Sequence, residues 1–465
     1  MISPFSFDGR IGRFAYARWS LGVFFSQHLA VFLAFKVLGQ TLDMNYWFYF
    51  VPLRSLVSLA YKSDLILIAA LAYLLIAAWA LAALSFRRAA DAGVDEWLGV
   101  PAILQFIQVP VILFLCIAPS SRKDARMRSD ALPIATGFGW AAAAQGTIAG
   151  MGLTLVAVAV AALVFGAYGF GMFVVSLFVI GAMTAYFANR KADVGALRTA
   201  FLVFGAAVAG GIALIIAALE GAVCLVVASP LGIGVALIGG LLGRSAARHG
   251  RRPTKHVLSV VALLPIVFAC ENALPATTTF DTYQTIEVDA PSGAVWQAIV
   301  QMDEMDESLA LPFRLGVAYP IRGEIIGEGV GAVRRGEFST GATLECVTEW
   351  VRDRKLAFTI LKDVPAMREL SPYHHVHSPH VEGYFLTKAT SFELVAGVDH
   401  RTEIIERTSH ELKLEPILYW LPIARWIVDQ NNGRVLAHIK RQAERNAGTV
   451  GWLSDQYGAN RSPPS

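Results

Sequence analysis

The chain has 465 residues, 55% of them hydrophobic, with a formal net charge of +3 and a mean hydropathy of +0.51, which excludes an ordinary water-soluble enzyme of this length. Residues 1–274 hold 20 Lys/Arg against 11 Asp/Glu, whereas residues 275–465 hold 19 against 25, so two physically different bodies share one chain. The small net charge and acidic second half give no electrostatic footprint for nucleic acid, and no nucleic-acid partner is expected.

A membrane-spanning helix needs about 20 mostly apolar residues. Runs at 19–38, 65–84, 97–118, 147–166, 168–187, 200–219 and 222–242 meet that requirement, and a shorter eighth, 257–274, ends at Glu271 and Asn272. The first run follows Arg10, Arg13 and Arg18 and has no small-residue cleavage site after it, so it reads as a retained anchor. Residues 131–189 contain no charge at all, which few soluble cores could bury. Glycines crowd the later runs (Gly205, Gly210, Gly211, Gly232, Gly234, Gly239, Gly240, Gly243), a composition that lets helices approach closely in lipid. Ionisable groups in the spans are few, His28 and Lys36 in the first, with Glu220 at a turn between the sixth and seventh, and their scarcity counts against a transporter.

Four segments are basic: Arg10 to Arg18, Arg122 to Arg128, Arg190 to Arg198 and Arg244 to Lys255. The positive-inside rule puts all four in the cytoplasm, with the N-terminus, and carries the C-terminal part out to the periplasm or exterior. Three single spans between the first two segments would leave them on opposite sides. Either the run around Val109 and Pro110 is re-entrant, or Tyr46 to Tyr61 is a further span carrying Arg54; the count is then eight or nine.

From about Thr282 the pattern changes to alternation. Strands are expected at 285–289, 320–328, 331–338, 343–350, 354–361, 383–395 and 401–412, with Leu344, Cys346 and Trp350 on one face, and turns at Gly329, Gly331, Gly341 and Asp353. One helix opens at Pro291 and passes Trp296. A second, longer one runs from Pro416 to about Arg445, with a kink expected at Asn431, Asn432 and Gly433 and a disordered tail at 446–465. Of the four cysteines, Cys116, Cys224 and Cys270 lie in or beside apolar runs and Cys346 stands alone in the soluble part, so that part has no disulfide framework.

Phe7-Asp8-Gly9-Arg10-Ile11-Gly12-Arg13-Phe14-Ala15-Tyr16, with Arg87-Arg88-Ala89-Ala90-Asp91-Ala92-Gly93 and Trp97, resembles the bacterial membrane family called domain of unknown function 805 over about residues 3–120. That family usually has Leu and His where Ala89 and Ala90 stand, and it implies a bacterial inner-membrane location without a chemistry. Residues 282–445 resemble the SRPBCC or START-like superfamily, on the order of strand, helix, strands and long helix, on Val295-Trp296 after Pro291, and on the segments Arg334 to Phe338, Glu369 to Tyr373 and Pro379 to Phe385. The resemblance implies a helix-grip fold. The expected architecture is therefore multi-domain: a 1–120 membrane module and a 134–274 Gly/Ala-rich bundle, together an all-α polytopic transmembrane bundle, then a 282–445 α+β helix-grip domain with an antiparallel sheet.

The conspicuous polar cluster is Tyr373-His374-His375-Val376-His377-Ser378-Pro379-His380, with Glu369 and Glu382 on its flanks and Tyr384 beyond. Imidazoles with carboxylates make a divalent-metal set conceivable through His374, His375, His377 and His380, but neighbouring histidines diverge on an extended segment and no metal is expected. A polar rim to a ligand pocket is the better reading of Glu369, Tyr373, His380, Glu382 and Tyr384. Arg334 and Arg335 could offer a cation to a ligand, although strand neighbours point to opposite faces. Glu345, Glu349, Glu403 and Glu406 read as solvated strand positions. No nucleophile setting, phosphate loop or cofactor motif is present. The function expected is a membrane-anchored module whose extracytoplasmic pocket takes up a lipid or other apolar small molecule beside the bilayer. The alternatives are a cyclase- or hydrolase-type enzyme using His380 with Glu369 or Glu382, and transport through the bundle.

Overall fold

A computed structural model describes residues 4–6, 9–59, 64–94, 102, 105–121, 140–165, 169–190, 192–249, 268, 271, 277–306, 308–373, 381–397 and 401–459. The chain divides into two compact units. The first comprises Met1–Ala276 with Ser371–Ser378 and Glu415–Pro422; the second comprises Thr277–Leu370, Pro379–Leu414 and Ile423–Ser465.

The first unit is helical: α1 (Arg13–Val37), α2 (Tyr46–Phe50), α3 (Asp64–Ala92), α4 (Gln105–Ile117), α5 (Trp140–Ala159), α6 (Leu177–Asn189, entered through a π-helical turn at Gly171–Ser176), α7 (Ala196–Ile216) and α8 (Ala222–His249). Six stretches among the described residues are long and apolar enough to cross a bilayer, Arg13–Val37, Leu65–Ala92, Ala144–Ala162, Gly171–Asn189, Ala196–Ile216 and Ala222–Arg248. Of the run expected at 97–118, residues 97–101, 103 and 104 lie outside the described residues, and α4 covers 13 described residues with Pro110 inside it. The 13 described residues account for about 20 Å of a bilayer core of about 30 Å. The aromatic stretch from Tyr46 forms α2 followed by a 3-10 helix at Pro52–Leu59, not one spanning helix. Most of the expected run 257–274 lies outside the described residues.

Gly171–Asn189 is the centre of this unit, 78% buried against 22–33% for the other five stretches. Its partner is α8, and the contact is backbone on backbone. A Cβ at Gly181 would stand 1.9 Å from the Ala236 carbonyl oxygen, and one at Gly239 or Gly243 would stand 2.0 Å from the Phe178 or Ala182 oxygen. In lipid no hydrophobic drive separates helix from solvent, so close van der Waals approach of this kind is what holds helices together. The peripheral helices instead expose large apolar side chains, on α1 Phe14, Phe25, Leu29, Phe32 and Leu33. At one end, Asp193 pairs with Arg244 (2.8 Å) and Arg248 (3.2 Å), which gathers two of the basic segments together.

The Arg87-to-Gly93 motif is a lock. Arg88 is fully buried and donates to the carbonyls of Leu115 (Nε, 2.9 Å) and Ala118 and to Asp91. It thereby caps the C-terminus of α4, where helix carbonyls lack partners of their own. Gly93 adopts φ +68°, and a Cβ there would stand 2.7 Å from Ser121 Cβ, so only glycine fits. Tyr16 on α1 hydrogen-bonds Ser85 on α3 (2.9 Å).

The second unit contains one antiparallel sheet with strand order β1-β8-β7-β6-β5-β4-β3-β2. Its strands are β1 (Thr278–Val288), β2 (Gln301–Met302), β3 (Pro320–Ile326), β4 (Val333–Phe338), β5 (Gly341–Val351), β6 (Lys355–Lys362), β7 (Phe385–Ala396) and β8 (Thr402–Leu412). Helices α9 (Ser292–Val300) and α10 (Leu311–Arg314) lie between strands, and α11 (Ile417–Ala459) follows the last. Val288, Trp296, Phe358, Phe392 and Ile404 form one core with Leu436, Ile439 and Ala443 of α11. A half-barrel sheet closed on one long C-terminal helix is the helix-grip fold.

Three expectations need correction. The helix does not break at 431–433 but continues to Ala459, past Asn446 where the sequence pattern ended it. Asn432 is tolerated because its amide donates to Thr282 and Thr408 on the sheet (3.1 Å each), and at Gly433 an added Cβ would stand 3.4 Å from Gln284 Oε1. On β5 the inward face is Thr343, Glu345 and Val347, while Leu344 is 42% exposed. A bulge between Val347 and Glu349 then shifts the phase, so that Trp350 turns in and meets Trp296 edge-on at 5.1 Å.

Substituting Gly239→Ala should force α6 and α8 apart and lower the melting temperature of the detergent-solubilised protein. Gly205→Ala, with nothing within 4 Å of the new methyl, should leave it unchanged. Equal melting temperatures for both variants would contradict the close packing.

Candidate functional site

The concave face of the sheet carries a polar set within an apolar frame. Arg334 on β4 points inward and donates through Nη1 to Glu345 Oε2 on β5 (2.5 Å). Thr343 Oγ1 donates to the other oxygen of Glu345 (2.7 Å), and the guanidinium stands over the Phe358 ring at 4.6 Å. Two glycines make the space. A Cβ at Gly323 would lie 2.7 Å from Arg334 Nη2, and one at Gly336 would lie 2.6 Å from Thr343 Oγ1. A buried ion pair is tolerable only with such additional hydrogen bonds, because desolvation of both charges otherwise exceeds their attraction.

On β8 the inward residues are Thr402, Ile404, Glu406, Thr408, His410 and Leu412. Glu406 is 3% exposed, and its Oε2 has no hydrogen-bond partner among the described residues. Burial pushes its carboxyl up to about 8 against the opposing pull of the Arg334 charge. His410 is 4% exposed and stacked between Phe280 and Phe385, each 5.2 Å away. Its Nε2 shares a 2.7 Å hydrogen bond with Thr408 Oγ1, which in turn meets Thr282 Oγ1 at 2.6 Å; its Nδ1 has no partner among the described residues. Burial pushes this imidazole down to about 4. Near neutral pH the face therefore presents a protonated carboxyl, a neutral imidazole and one paired guanidinium. A groove of about 420 Å³ opens along the same unit, lined by Gln284, Ser308, Phe313, Gly433, Arg434 and Arg441 among others.

Of the residues singled out in the sequence, Arg334 lies in this set. Arg335, its strand neighbour, faces outward, 3.7 Å from Glu337. Glu369 and Tyr384 are half-buried, and Glu382 is exposed. Tyr373 belongs to the helical unit, where its hydroxyl donates to the Ile216 carbonyl (2.7 Å). His374, His375, His377 and His380 lie outside the described residues. Among those described, no group of three His, Cys, Asp or Glu side chains is placed to hold a metal. Glu345 and Glu406, expected in solvent, are buried, whereas Glu403 is exposed and Glu349 pairs with Lys355 at 2.8 Å. The alternation in β8 held the missing signal. Its even positions carry Ile404 and Leu412, and its odd positions carry the charges of Glu403, Arg407 and Glu411, so Glu406 and His410 share the buried face.

Residues 4–127 match the model of a family described as a protein of unknown function, DUF805. The N-terminal region carries the DUF805 pattern. Within this DUF805 region Ala89 is fully buried and Ala90 half-buried, so no imidazole stands where the family's usual histidine would. No curated protein matches the chain. Solved structures that match it include truncated norcoclaurine synthase from Thalictrum flavum, 12% identical over 36% of this chain and 94% of that one, with a TM-score of 0.23. Another is Zhui aromatase/cyclase from Streptomyces sp. R1128, 16% identical over 36% of this chain and 95% of that one, with a TM-score of 0.24.

The two buried titrating groups act in opposite pH windows. In the unfolded chain a glutamate ionises near 4.5 while folded Glu406 stays protonated to about 8, so its stabilising contribution is full below 4.5 and lost as the pH rises toward 8. An unfolded histidine takes up a proton below 6.5, but folded His410 does so only near 4, so its contribution is present above 6.5 and lost as the pH falls toward 4. Thermal unfolding of Glu406→Gln should show a gain over wild type that grows from pH 4.5 to 8. His410→Phe should lose less stability than wild type between pH 6.5 and 4. Curves parallel to wild type would contradict these assignments.

Proposed function

We propose that this protein is a membrane-anchored binding module whose helix-grip unit takes up a lipid or another apolar small molecule at the extracytoplasmic face of a bacterial inner membrane. The observation that carries the reading is the composition of the concave face. An apolar frame that includes Phe358, Phe392 and Ile404 surrounds buried polar atoms without hydrogen-bond partners among the described residues, Glu406 Oε2 and His410 Nδ1. Ligand sites have this makeup, mostly apolar walls with a few placed polar groups, and buried polar atoms in folded proteins are otherwise nearly always paired. A separate groove of about 420 Å³ in the same unit, lined by Gln284, Phe313, Arg434 and Arg441 and not by Glu406 or His410, falls within the size range of small-molecule sites. The extracytoplasmic placement is supported by the basic segments at Arg190 to Arg198 and Arg244 to Lys255, which precede the last apolar run.

Native mass spectrometry of the full chain, released gently from membranes, should reveal a co-purified hydrophobic molecule that is lost when the grip unit is unfolded. A mass equal to that of the bare polypeptide under all conditions would refute the binding reading. Protease added to intact spheroplasts should cleave the C-terminal unit. Cleavage only after the membrane is permeabilised would reverse the orientation.

A further inference from the structure

One end of the membrane unit carries more positive charge than its own side chains answer. The end of α6, the start of α7 and the end of α8 meet there, tied by the bonds of Arg244 (2.8 Å) and Arg248 (3.2 Å) to Asp193. Among the described residues of 189–198 and 240–249, four arginines, Arg190, Arg198, Arg244 and Arg248, face one carboxylate, Asp193. The sequence adds Lys191 to the same loop and Arg251, Arg252 and Lys255 after α8. The loop is pinned by Asn189, fully buried, which accepts from Val194 N (3.0 Å) and donates to Thr199 Oγ1 (2.9 Å). Arg190 is engaged by Gln145 (2.9 Å) and stands over the Phe187 ring at 5.1 Å. Arg198 is exposed and has neither an ion pair nor a hydrogen bond among the described residues. Below it, α7 turns Thr199, Val203, Ala206, Gly210 and Leu214 inward and leaves Leu197, Phe201, Phe204, Val208, Ile212 and Ile216 exposed. At 3.6 residues per turn Arg198, Phe201, Gly205, Val208 and Ile212 lie along one stripe. No atom lies within 4 Å of a Cβ added at Gly205, so the stripe has an outward notch between Phe201 and Val208. From Arg198 to Ile212 the stripe is about 20 Å long, more than one leaflet of a bilayer core of about 30 Å.

We infer that this end of α7 holds an anionic phospholipid, with its phosphodiester on Arg198 and one acyl chain along Phe201, Gly205 and Val208. Charge balance selects the head. A zwitterionic phospholipid brings its own ammonium group, which would stand among the arginines of the α6 and α8 ends, whereas a glycerol head brings the phosphate charge alone. The guanidinium of Arg198 offers the fork of N–H donors that two phosphate oxygens accept together. A soluble anion would meet the same guanidinium but would leave the apolar stripe uncovered. The site lies in the membrane unit and stands whether or not the grip unit binds a ligand.

The test uses the full chain in phosphatidylcholine nanodiscs with a trace of one of two photo-crosslinkable probes, a phosphatidylglycerol or a phosphatidylcholine with the same diazirine-bearing acyl chain. Labelled peptides are mapped by mass spectrometry. The phosphatidylglycerol should label peptides of α7 about fivefold more than the phosphatidylcholine, the weight of one basic residue near an anionic surface. That excess should vanish in Arg198→Gln and persist in part in Arg198→Lys, which keeps the charge but not the fork. It should also fall in Gly205→Leu, which fills the notch and leaves every charge in place. Sodium phosphate should lower it no more than sodium chloride of equal ionic strength. Thermal unfolding of each variant reports whether it is folded. Equal labelling by the two probes, or an excess that survives Arg198→Gln, would overturn the site. An excess that ignores Gly205→Leu would overturn the placing of the acyl chain, and one erased by phosphate but not by chloride would assign Arg198 to a soluble anion. Absence of labelling on α7 by both probes, as when a second copy covers this face, would overturn the proposal outright.

Discussion

The burial of one guanidinium organises the concave face of the grip. A charge taken out of water is stable only if its field is answered nearby and its hydrogen-bonding groups are engaged. Arg334 meets that demand through Glu345, through the ring of Phe358 and through the empty volumes at Gly323 and Gly336. The next carboxyl, Glu406, has no ion-pair partner among the described residues, and burial holds its proton. Burial sets the protonation of both Glu406 and His410, and the Arg334 charge acts only on Glu406, against that shift.

The membrane unit solves a different problem with different chemistry. Lipid cannot drive apolar surfaces together, so α6 and α8 are joined by removing side chains at Gly181, Gly239 and Gly243. In the DUF805 region the same need is met by Arg88, which spends its donors on the exposed carbonyls at the end of α4. One device is steric and the other is polar, and both tie helix to helix without relying on water.

Much of the fold was legible in the sequence because it rests on period and length. Apolar runs of about 20 residues located the spanning helices, and alternation located six of the seven long strands to within a few residues, while β1 begins at Thr278, seven residues before the expected start. What was not legible depends on phase and on distant partners. A bulge in β5 inverts which side of the strand is buried, and that sent Glu345 to solvent on paper and Leu344 inward. The helix runs unbroken through Asn432, where Thr282 and Thr408, more than 20 residues away, accept the hydrogen bonds of its side-chain amide. The histidine cluster drew the eye by composition, whereas Glu406 and His410 carry ordinary surface residue types and are distinguished only by the face they share.

The two glycines beside Arg334 have a bearing on how this site could be traced in other chains. Because a methyl at either place would collide with the guanidinium or with its supporting hydroxyl, the arrangement is a five-position fingerprint, Gly323, Arg334, Gly336, Thr343 and Glu345, spread over three neighbouring strands. A homologous sheet that keeps the arginine and glutamate but places a side chain at the position of Gly323 has to send the arginine elsewhere. Kinship of this concave face can therefore be judged from what is missing as well as from what is charged.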